Sequence, residues 1–591
     1  MAQRPIESCG VIGDLHTVAL VATDGTIDWC CLPQFDSPSV FAALLDENKG
    51  GYFRIAPEQP GTNRQMYMPE TNVLLTRFLR DEGVGEIIDF MPVRDTGAEG
   101  SESMAHEIVR IVRAVRGAVH FRLECVPAFN YARTPHTASL IEGGVLFDAG
   151  EARIVLLGPG PWTIENGKAV SQFTLQPKES AEFVLRFDAE QDGPGLEAPV
   201  DCLRLMNETL AFWRKWLSKC QYEGRWREEV LRSALTLKML THRPTGAIVA
   251  APTCSLPEEI GGVRNWDYRY TWVRDGAFTV FALIRLGFTE EATAFIDWLC
   301  ERIHEGAGTQ GPLNTMYSVD GQSELPEYDL DHLAGYRNSR PVRVGNAASK
   351  QLQLDIYGEM MDAVYLYDKH VSPIPYDLWT RIESVLMWVA ENWNQPDEGL
   401  WEVRGGRQQF VYSKLQCWVA LDRGIRLAEG RSLPLDRAHL EKERDRIFAS
   451  IMEKGWDPEQ RSFVQSFGSK ALDASSLMMP IVLFIAPKDP RMLSTLKRIR
   501  EVLVSDSLVY RYSLDGDLAM KDGLAGREGT FSMCTFWLVD ALARAEQLDD
   551  ARFIFEKMLT YGNHLGLYSE EISSTGGALG NFPQAFTHLG L

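Results

Sequence analysis

The sequence has no long hydrophobic run and no paired-cysteine motif. No stretch of the 591 residues approaches the roughly 18 consecutive apolar residues that a membrane-spanning helix needs. The ten cysteines are scattered without a Cys-x-x-Cys pair, which argues against a cysteine-rich zinc site or a disulfide framework. The first residues carry no charged segment followed by an apolar run, so no signal peptide is expected. These absences predict a reduced, cytoplasmic protein with no membrane partner.

Basic residues are also fewer than acidic ones, 60 against 81. The formal net charge is −21, so nucleic acid and anionic membrane surfaces would be repelled and are excluded as partners. The apolar share of 45% and the charged share of 24% are ordinary for a globular protein. His16, His332, His564 and His588 do not follow a metal-ligand spacing, and no metal site is expected.

Two hydrophobic periodicities divide the chain near residue 200. The first part contains short segments rich in β-branched and aromatic residues, such as 72–79 and 108–115, and predicts an antiparallel β-sandwich. The second part has apolar residues at helical spacing, for example at 473–485 and 529–546. A solenoid, a bundle and a toroid of helices are all compatible with it. The absence of a fixed-period repeat and the unequal loops favour the toroid.

These patterns predict three regions along the chain. They are a β-sandwich domain at 1–200, a linker helix at 201–225 and a helical catalytic domain at 226–591. The long segment between Gly306 and Lys350 is rich in Tyr, Asn, Arg and Gly, as the wall of an active site would be.

An alternation of aromatic residues leads into an Arg-Asp pair. Tyr268, Tyr270 and Trp272 occupy every second position before Arg274 and Asp275, at the start of a predicted helix. Aromatic planes suit the C–H faces of a sugar ring, and an Arg-carboxylate pair can both donate to and accept from sugar hydroxyls. The alternative interpretation is an aromatic core with a surface ion pair.

Two further segments set carboxylates among aromatic residues. Trp401 precedes Glu402, and the Glu570-Glu571 pair follows Tyr568. Two carboxylates are what acid/base cleavage of a glycosidic bond requires, although the second pair could equally be solvated loop charges. Glu359 is another candidate for a polar role in the site. It could equally brace the helical domain.

These motifs resemble the glycoside hydrolases of family 15. The resemblance rests on Tyr-x-Tyr-x-Trp-x-Arg-Asp at 268–275, Leu-Trp-Glu at 400–402 and Ser-Glu-Glu-Ile at 569–572, in the family's order. The family includes glucoamylases, glucodextranases and prokaryotic trehalases. The segments 14–16, 22–29 and 35–38 are similar to the N-terminal domain of its trehalase-like branch.

The resemblance implies an N-terminal antiparallel β-sandwich followed by an all-α (α/α)₆ toroid. It also implies inverting, exo-acting hydrolysis of an α-glucoside from its non-reducing end. Glu402 matches the general acid and Glu570 the catalytic base. The substrate-binding matches are Tyr268 (placing the water), Trp272, Arg274 and Asp275 (holding the terminal glucose), Arg511 (a further glucose-binding arginine) and Tyr336 (a stacking aromatic).

Physical chemistry adds two expectations for the carboxylates. The acid needs a raised pKa, which shielding by Trp401 would give to Glu402. The base must stay ionised, so a polar, hydroxyl-rich setting is expected at Glu570. An inverting pair must also stand roughly 6.5–9.5 Å apart to admit water.

The expected substrate is a small carbohydrate: trehalose, or an α-1,4- or α-1,6-linked gluco-oligosaccharide. A disaccharide phosphorylase on a similar fold and a non-catalytic sugar-binding protein remain as alternatives. No cofactor is expected to be required, but dependence on phosphate or Mg²⁺ is compatible with a trehalase-like enzyme. The sequence is compatible with a monomer and with a homo-oligomer.

Overall fold

The computed structural model describes residues 3–94, 106–188, 200–306, 311–513, 520 and 522–591. Backbone contacts divide the chain into two compact units. The first comprises Met1–Pro244, Leu330–Val342 and Asn563–Leu567. The second comprises Thr245–Asp329, Arg343–Gly562 and Tyr568–Leu591.

The first unit contains two antiparallel sheets of eight strands each, which confirms the predicted β-sandwich. One sheet has the order β1-β2-β3-β5-β10-β15-β14 with β4 paired to β3, and the other has the order β11-β12-β13-β16-β9-β8-β7-β6. The strands are β1 Cys9–Gly13, β2 Val18–Ala22, β3 Thr26–Cys31, β4 Ser39–Phe41, β5 Tyr52–Pro57, β6 Thr62–Tyr67, β7 Leu74–Leu79, β8 Val84–Phe90, β9 His106–Arg116, β10 Val119–Val126, β11 Thr137–Ile141, β12 Gly144–Asp148, β13 Arg153–Leu157, β14 Thr163–Glu165, β15 Lys168–Leu175 and β16 Ser180–Asp188.

The helices described in this unit are α1 Phe129–Ala132, α2 Cys202–Leu217 and α3 Arg227–Met239. α2 buries Cys202 and Leu205 in the same apolar cluster as Ile88 and Val109 of the second sheet. The segment predicted as a linker helix therefore packs on the sheet, because its apolar face needs a surface to cover. The unit continues to Pro244, beyond the predicted boundary at 225.

The second unit is mainly helical. Its helices are α4 Val273–Leu286, α5 Thr289–Glu305, α6 Ile356–His370, α7 Tyr376–Asn392, α8 Val411–Arg431, α9 Arg437–Lys454, α10 Pro490–Val502, α11 Ser532–Arg544, α12 Leu548–Leu559 and α13 Ala585–Gly590. The predicted helix at 473–485 is only a 3-10 segment, Ala474–Met478. Pro480 follows it closely and cannot continue a hydrogen-bonded helix.

Short strands occupy the connections of the second unit. They are β17 Cys254–Pro257, β18 Asn265–Asp267, β19 Thr271–Trp272, β20 Met316–Tyr317, β21 Tyr328–Asp329, β22 Arg343–Val344, β23 Trp456–Asp457, β24 Ser462–Phe463, β25 Val504–Ser505, β26 Leu508–Val509, β27 Thr530–Phe531, β28 Glu571–Ile572 and β29 Ala578–Leu579.

The helices close into a ring. α4 contacts α6, α6 contacts α8, and α8 contacts the 3-10 segment. That segment contacts α11, α11 contacts α13, and α13 returns to α4. α5, α7, α9, α10 and α12 each contact members of this ring, as the outer layer of a helical toroid does. Among the residues described, no helix combines the length and hydropathy needed to cross a bilayer.

A buried ion pair stabilises the sandwich and generates a testable prediction. Arg110 and Asp89 are both fully buried, with Nε and Oδ1 2.7 Å apart, and Arg110 also donates to the carbonyls of Phe53 and Gly25. Arg110→Gln would leave the Asp89 carboxylate without its charge partner. We expect a loss of about 3–5 kcal/mol of unfolding free energy. The denaturation midpoint of the full chain measures it.

The matched control is Arg113→Gln on the same strand. The Arg113 side chain is 44% exposed and pairs with Glu86 at 2.7 Å. Such a surface pair contributes at most about 1 kcal/mol. Equal shifts of the midpoint in the two variants would contradict the stabilising role given to Arg110.

Candidate active site

One cavity of the second unit brings the predicted motifs together. Seven of the predicted site residues are on its wall: Tyr268, Trp272, Arg274, Asp275, Trp401, Glu402 and Arg511. They come from the segment that enters α4, from the turn before α8 and from the segment that follows β26. Residues more than a hundred positions apart in sequence thus surround a single space.

Arg274 and Asp275 form a fixed pair in the first turn of α4. Arg274 Nε lies 2.9 Å from Asp275 Oδ1, and both residues are buried. Arg274 Nη1 also donates to Gln353 Oε1 and to the Leu400 carbonyl, each at 3.3 Å. Burial raises the pKa of Asp275, and the Arg274 charge opposes that rise. These contacts hold the guanidinium and the carboxylate in a rigid arrangement at the wall of the cavity.

Glu402 occupies a strained turn. Its φ is +56°, in the left-handed region that is uncommon for a residue with a long side chain, and its N–H donates to the Gly399 carbonyl. Backbone strain of this kind often occurs at functional sites. Glu402 Oε1 accepts a 2.6 Å hydrogen bond from Trp272 Nε1 and lies 3.7 Å from Arg274 Nη2. The side chain is 20% exposed, so a ligand can reach it.

The indole of Trp401, which is expected to shield Glu402, directs its N–H to another carboxylate. Trp401 Nε1 donates to both oxygens of Asp473, at 2.9 and 3.1 Å, and its ring packs against Phe531 and Trp537. Trp272 is the residue that contacts the Glu402 carboxylate. Adjacent residues of a tight turn point in different directions, so adjacency in sequence is a poor guide here.

Glu570 is buried, whereas the sequence predicts a polar, hydroxyl-rich setting for it. It is 1% exposed, and Oε2 accepts from the Asn581 N–H at 3.1 Å. Burial raises the pKa of Glu570 to about 7, opposed by a hydrogen bond from Tyr268 and by the Arg511 charge. Within the described part of the chain, Tyr268 is on the cavity wall and Glu570 is not. Tyr268 therefore stands between this carboxylate and the cavity.

Arg511 belongs to a dense cluster of buried charges. Its Nε donates to Glu528 Oε1 at 3.1 Å, and its Nη2 donates to Glu258 Oε2 at 3.2 Å. Arg264 donates to Glu528 and to Asp522 at 3.0 and 2.7 Å. Burial raises the pKa of Glu258 to about 8, which the Arg511 charge opposes. Any hydrogen bond from Arg511 to a sugar must therefore share the guanidinium with Glu528.

Among the residues that the structure describes, two groups of side chains have the composition of a cation site. In the second unit, oxygens of Glu258, Glu528 and Glu571 lie within 4.8 Å of one another. The guanidinium of Arg511 already pairs with this group, at 3.2–3.6 Å from Glu258 and Glu571. In the first unit Asp14, His16 and His106 are similarly close, with His106 Nδ1 at 2.9 Å from Asp14 Oδ2.

Tyr336 does not belong to the same unit as the other predicted residues. It belongs to the first unit, in the 3-10 turn Tyr336–Asn338, and is 1% exposed. Its hydroxyl donates to the Arg4 carbonyl at 2.7 Å, as a buried tyrosine requires. Among the described residues it is not part of the cavity wall. The structure thus gives no support to the predicted stacking role of this ring.

Glu359 has the bracing role that the sequence left open. It accepts from the Gln416 amide at 2.7 Å and from the Tyr412 hydroxyl. These contacts connect α6 to α8. Burial raises the pKa of its carboxyl well above the ordinary value.

Several wall residues were not predicted as site residues from the sequence, among them Glu258, Trp266 and Arg404. Trp266 packs against two guanidinium groups, with Cζ of Arg343 and Arg404 at 4.6 and 5.2 Å from its ring centroid. Trp266 and Arg404 adjoin the predicted motifs and could have been included on that ground. Nothing in the local sequence of Glu258 signals its place.

The fold and this cavity, with carboxylates, aromatic rings and an Arg-Asp pair on its wall, define a carbohydrate-cleaving enzyme. Residues 224–591 match the family described as "Glycosyl hydrolases family 15", and residues 1–196 match the domain "Trehalase-like, N-terminal". The chain belongs to glycosyl hydrolases family 15 and is a glycoside hydrolase.

Curated relatives resemble the chain over nearly its whole length. A trehalase of Thermoplasma acidophilum is 39% identical, covering 97% of this chain and 96% of that protein. A trehalase of Mycolicibacterium smegmatis is 38% identical, covering 99% and 90%. A bacterial glucoamylase solved with acarbose has a TM-score of 0.74 at 14% identity, over 100% of this chain and 93% of that one. This likeness supports the β-sandwich and (α/α)₆ fold.

The indole of Trp272 generates the second prediction. Trp272→Phe keeps an aromatic ring but removes the N–H that donates to Glu402. A hydrogen bond to a charged group contributes about 1.5–3 kcal/mol, so kcat/KM for a natural glucoside should fall about 10- to 100-fold. Steady-state kinetics measure the change.

Trp298→Phe is the control. Trp298 is also buried and stacks on Phe295, but within the described chain its Nε1 makes no hydrogen bond. It should keep kcat/KM within about twofold. A Trp272→Phe enzyme as active as this control would show that the contact with Glu402 does not matter for hydrolysis.

Proposed function

We propose that this enzyme hydrolyses trehalose to two molecules of glucose by an inverting mechanism that acts on the non-reducing glucosyl unit. The similarity to trehalases along almost the entire chain supports the substrate. The observation that carries the mechanism is the contact of Glu402 with Trp272 beside the Arg274–Asp275 pair. This contact places the carboxyl group of Glu402 next to a rigid Arg-Asp pair that can hold a glucose ring.

The glucose that is attacked lies against Arg274 and Asp275. The guanidinium donates to sugar hydroxyls and the carboxylate accepts from them. Glu402, protonated, gives its proton to the glycosidic oxygen as the bond from the anomeric carbon breaks. The leaving glucose then departs as an alcohol.

We infer that Glu570 receives the proton of the attacking water through the Tyr268 hydroxyl, which hydrogen-bonds to this carboxylate. A water held by the Tyr268 hydroxyl attacks the anomeric carbon on the face opposite the leaving oxygen. The raised pKa of Glu570 makes its carboxylate a stronger proton acceptor than an exposed glutamate would be. Each turnover thus moves one proton from Glu402 to the leaving oxygen and one proton from the attacking water to Glu570.

Trp266 and Arg404 receive the leaving glucose. The Trp266 ring offers a plane for the C–H face of a sugar, and the neighbouring guanidinium groups donate to its hydroxyls. Arg404 Nη2 is fixed by Glu327 Oε2 at 3.0 Å. A wall with this much charge fits a compact disaccharide better than an apolar leaving group.

A substrate panel tests the proposed function. Trehalose, maltose, isomaltose and longer dextrins are each incubated with the full chain, with and without phosphate and Mg²⁺, and glucose release is measured. We expect the highest kcat/KM for trehalose. A preference for maltose or isomaltose would reassign the linkage, and formation of glucose 1-phosphate would identify a phosphorylase.

Glu402→Gln tests the general acid. The amide keeps the shape of the side chain but has no proton to give, so kcat for trehalose should fall about 10²–10⁴-fold. α-Glucosyl fluoride should be far less affected, because fluoride leaves without protonation. Equal losses on both substrates would contradict the role of Glu402 as acid.

Glu443→Gln is its matched control. Glu443 on α9 is a buried carboxylate that also accepts from an indole, Trp393 Nε1 at 3.2 Å. It should leave kcat for both substrates close to that of the native enzyme.

The pH profile tests the base. Glu570 acts ionised, so log kcat/KM should fall with unit slope as the pH drops below about 7, the pKa of its buried carboxyl. Glu528→Gln removes the neighbouring carboxylate whose charge raises the pKa of Glu570, so the acidic limb should move to lower pH.

Glu359→Gln, which changes a buried carboxyl braced by Tyr412, should leave that limb in place. An acidic limb near pH 4 in the native enzyme, or one that Glu528→Gln does not move, would contradict the assignment.

A further inference from the structure

Three side chains that can ligate a metal ion meet in the first unit, outside the proposed chemistry. Asp14 and His16 belong to the turn between β1 and β2, and His106 is the first residue of β9. One ligand atom of each residue lies within 4.8 Å of those of the other two. Spacing along the chain cannot reveal this group, because Asp14 and His106 are 92 positions apart.

The turn itself fixes the Asp14 carboxylate. Its Oδ1 accepts hydrogen bonds from the N–H groups of His16 and Thr17, both at 2.9 Å. Leu15, between the two candidate ligands, has a φ of +70°, in the left-handed region that is uncommon for a residue of this size. This conformation keeps His16 Nδ1 close to the carboxylate, 4.0 Å from Oδ1. The other oxygen, Oδ2, faces His106 Nδ1 at 2.9 Å.

These separations are on the scale of a metal centre. Two ligand atoms of a tetrahedral zinc ion, each about 2.0–2.2 Å from the ion, stand about 3.4 Å apart. The two imidazole–carboxylate distances, 2.9 and 4.0 Å, lie on either side of that value. Small rotations of the side chains therefore suffice to place all three ligand atoms around one ion.

An ion can reach the group from solvent. The side chains of His16 and His106 are 15% and 14% exposed, and that of Asp14 is 5% exposed. Behind them, the buried ring of His242 packs edge to face against His16, with the ring centroids 5.6 Å apart. Outer contacts of this kind orient the ligands of metal sites.

The donor atoms select the kind of ion. Imidazole nitrogen suits Zn²⁺ and the later first-row transition ions, whereas Mg²⁺ and Ca²⁺ prefer oxygen ligands alone. We propose that Asp14, His16 and His106 form a zinc site, in which water from solvent completes the tetrahedron. β1 and β2 belong to one sheet of the sandwich and β9 to the other, so the ion joins the two sheets. The site does not depend on which glucoside the enzyme cleaves.

Zinc titration of the full chain, first treated with EDTA and desalted, tests the site. We expect one Zn²⁺ to bind per chain and excess Mg²⁺ not to displace it. Because the ion joins the two sheets, Zn²⁺ should also raise the midpoint of thermal unfolding, and EDTA should reverse the rise. Hydrolysis should proceed without the ion, because the site is not part of the active-site cavity.

Two variants assign the bound ion to this group. His106→Gln removes an imidazole, but its amide can still donate to Asp14, so the fold should be little affected. His16→Gln removes the second imidazole from the turn. Loss of an outer contact weakens metal binding about 10- to 100-fold, so loss of a ligand should weaken it at least about 100-fold. Neither variant should change kcat/KM.

His136→Gln is the matched control. His136 is a half-buried histidine of the first unit whose Nε2 contacts the Gly167 carbonyl at 3.3 Å. It should bind Zn²⁺ as the native chain does. The absence of stoichiometric Zn²⁺ binding would overturn the proposal. Binding that either ligand variant leaves unchanged, that His136→Gln weakens equally, or that Mg²⁺ displaces would overturn it too.

Discussion

Five buried carboxylates share two guanidinium groups beside the active-site cavity. Glu258, Glu528, Glu570, Glu571 and Asp522 surround Arg264 and Arg511. In this low-dielectric setting the acids cannot all be ionised at once, because two positive charges do not compensate five negative ones. Protons must therefore be held within the cluster. This constraint determines how readily Glu570 takes up a proton.

The sequence predicts a shielded setting for Glu402 and a polar one for Glu570, but the structure shows the reverse. Glu402 is partly exposed and held by one indole N–H, while Glu570 is buried in the charged cluster. A base buried in this way binds a proton more strongly, and this favours transfer of a proton from the attacking water to the base. Hydrogen bonds from neighbouring segments offset the cost of this burial. Gly529 donates to Glu571, Asn581 donates to Glu570, and Arg511 bridges Glu528 and Glu258.

Much of this could be predicted from the sequence, and the exceptions have physical causes. Period-2 and helical hydrophobic patterns identify the sandwich and the toroid, because they record which face of each element is buried. The Tyr268–Asp275 motif and Glu402 were found because their residues are adjacent in sequence. Tyr336 was misplaced because a lone aromatic in a loop does not reveal which surface it packs on. Glu258 was missed because its place depends on contacts between segments more than two hundred residues apart.

The configuration of the first products tests the central claim, that Glu402 and Glu570 hydrolyse an α-glucoside with inversion. Proton NMR of trehalose hydrolysis, recorded before mutarotation, distinguishes the two outcomes. Inversion predicts equal amounts of α- and β-glucose, because the attacked unit becomes β and the leaving unit remains α. Formation of α-glucose alone would mean retention through a covalent intermediate, with carboxylates about 5–5.5 Å apart, and would contradict the role of Glu570 as a base.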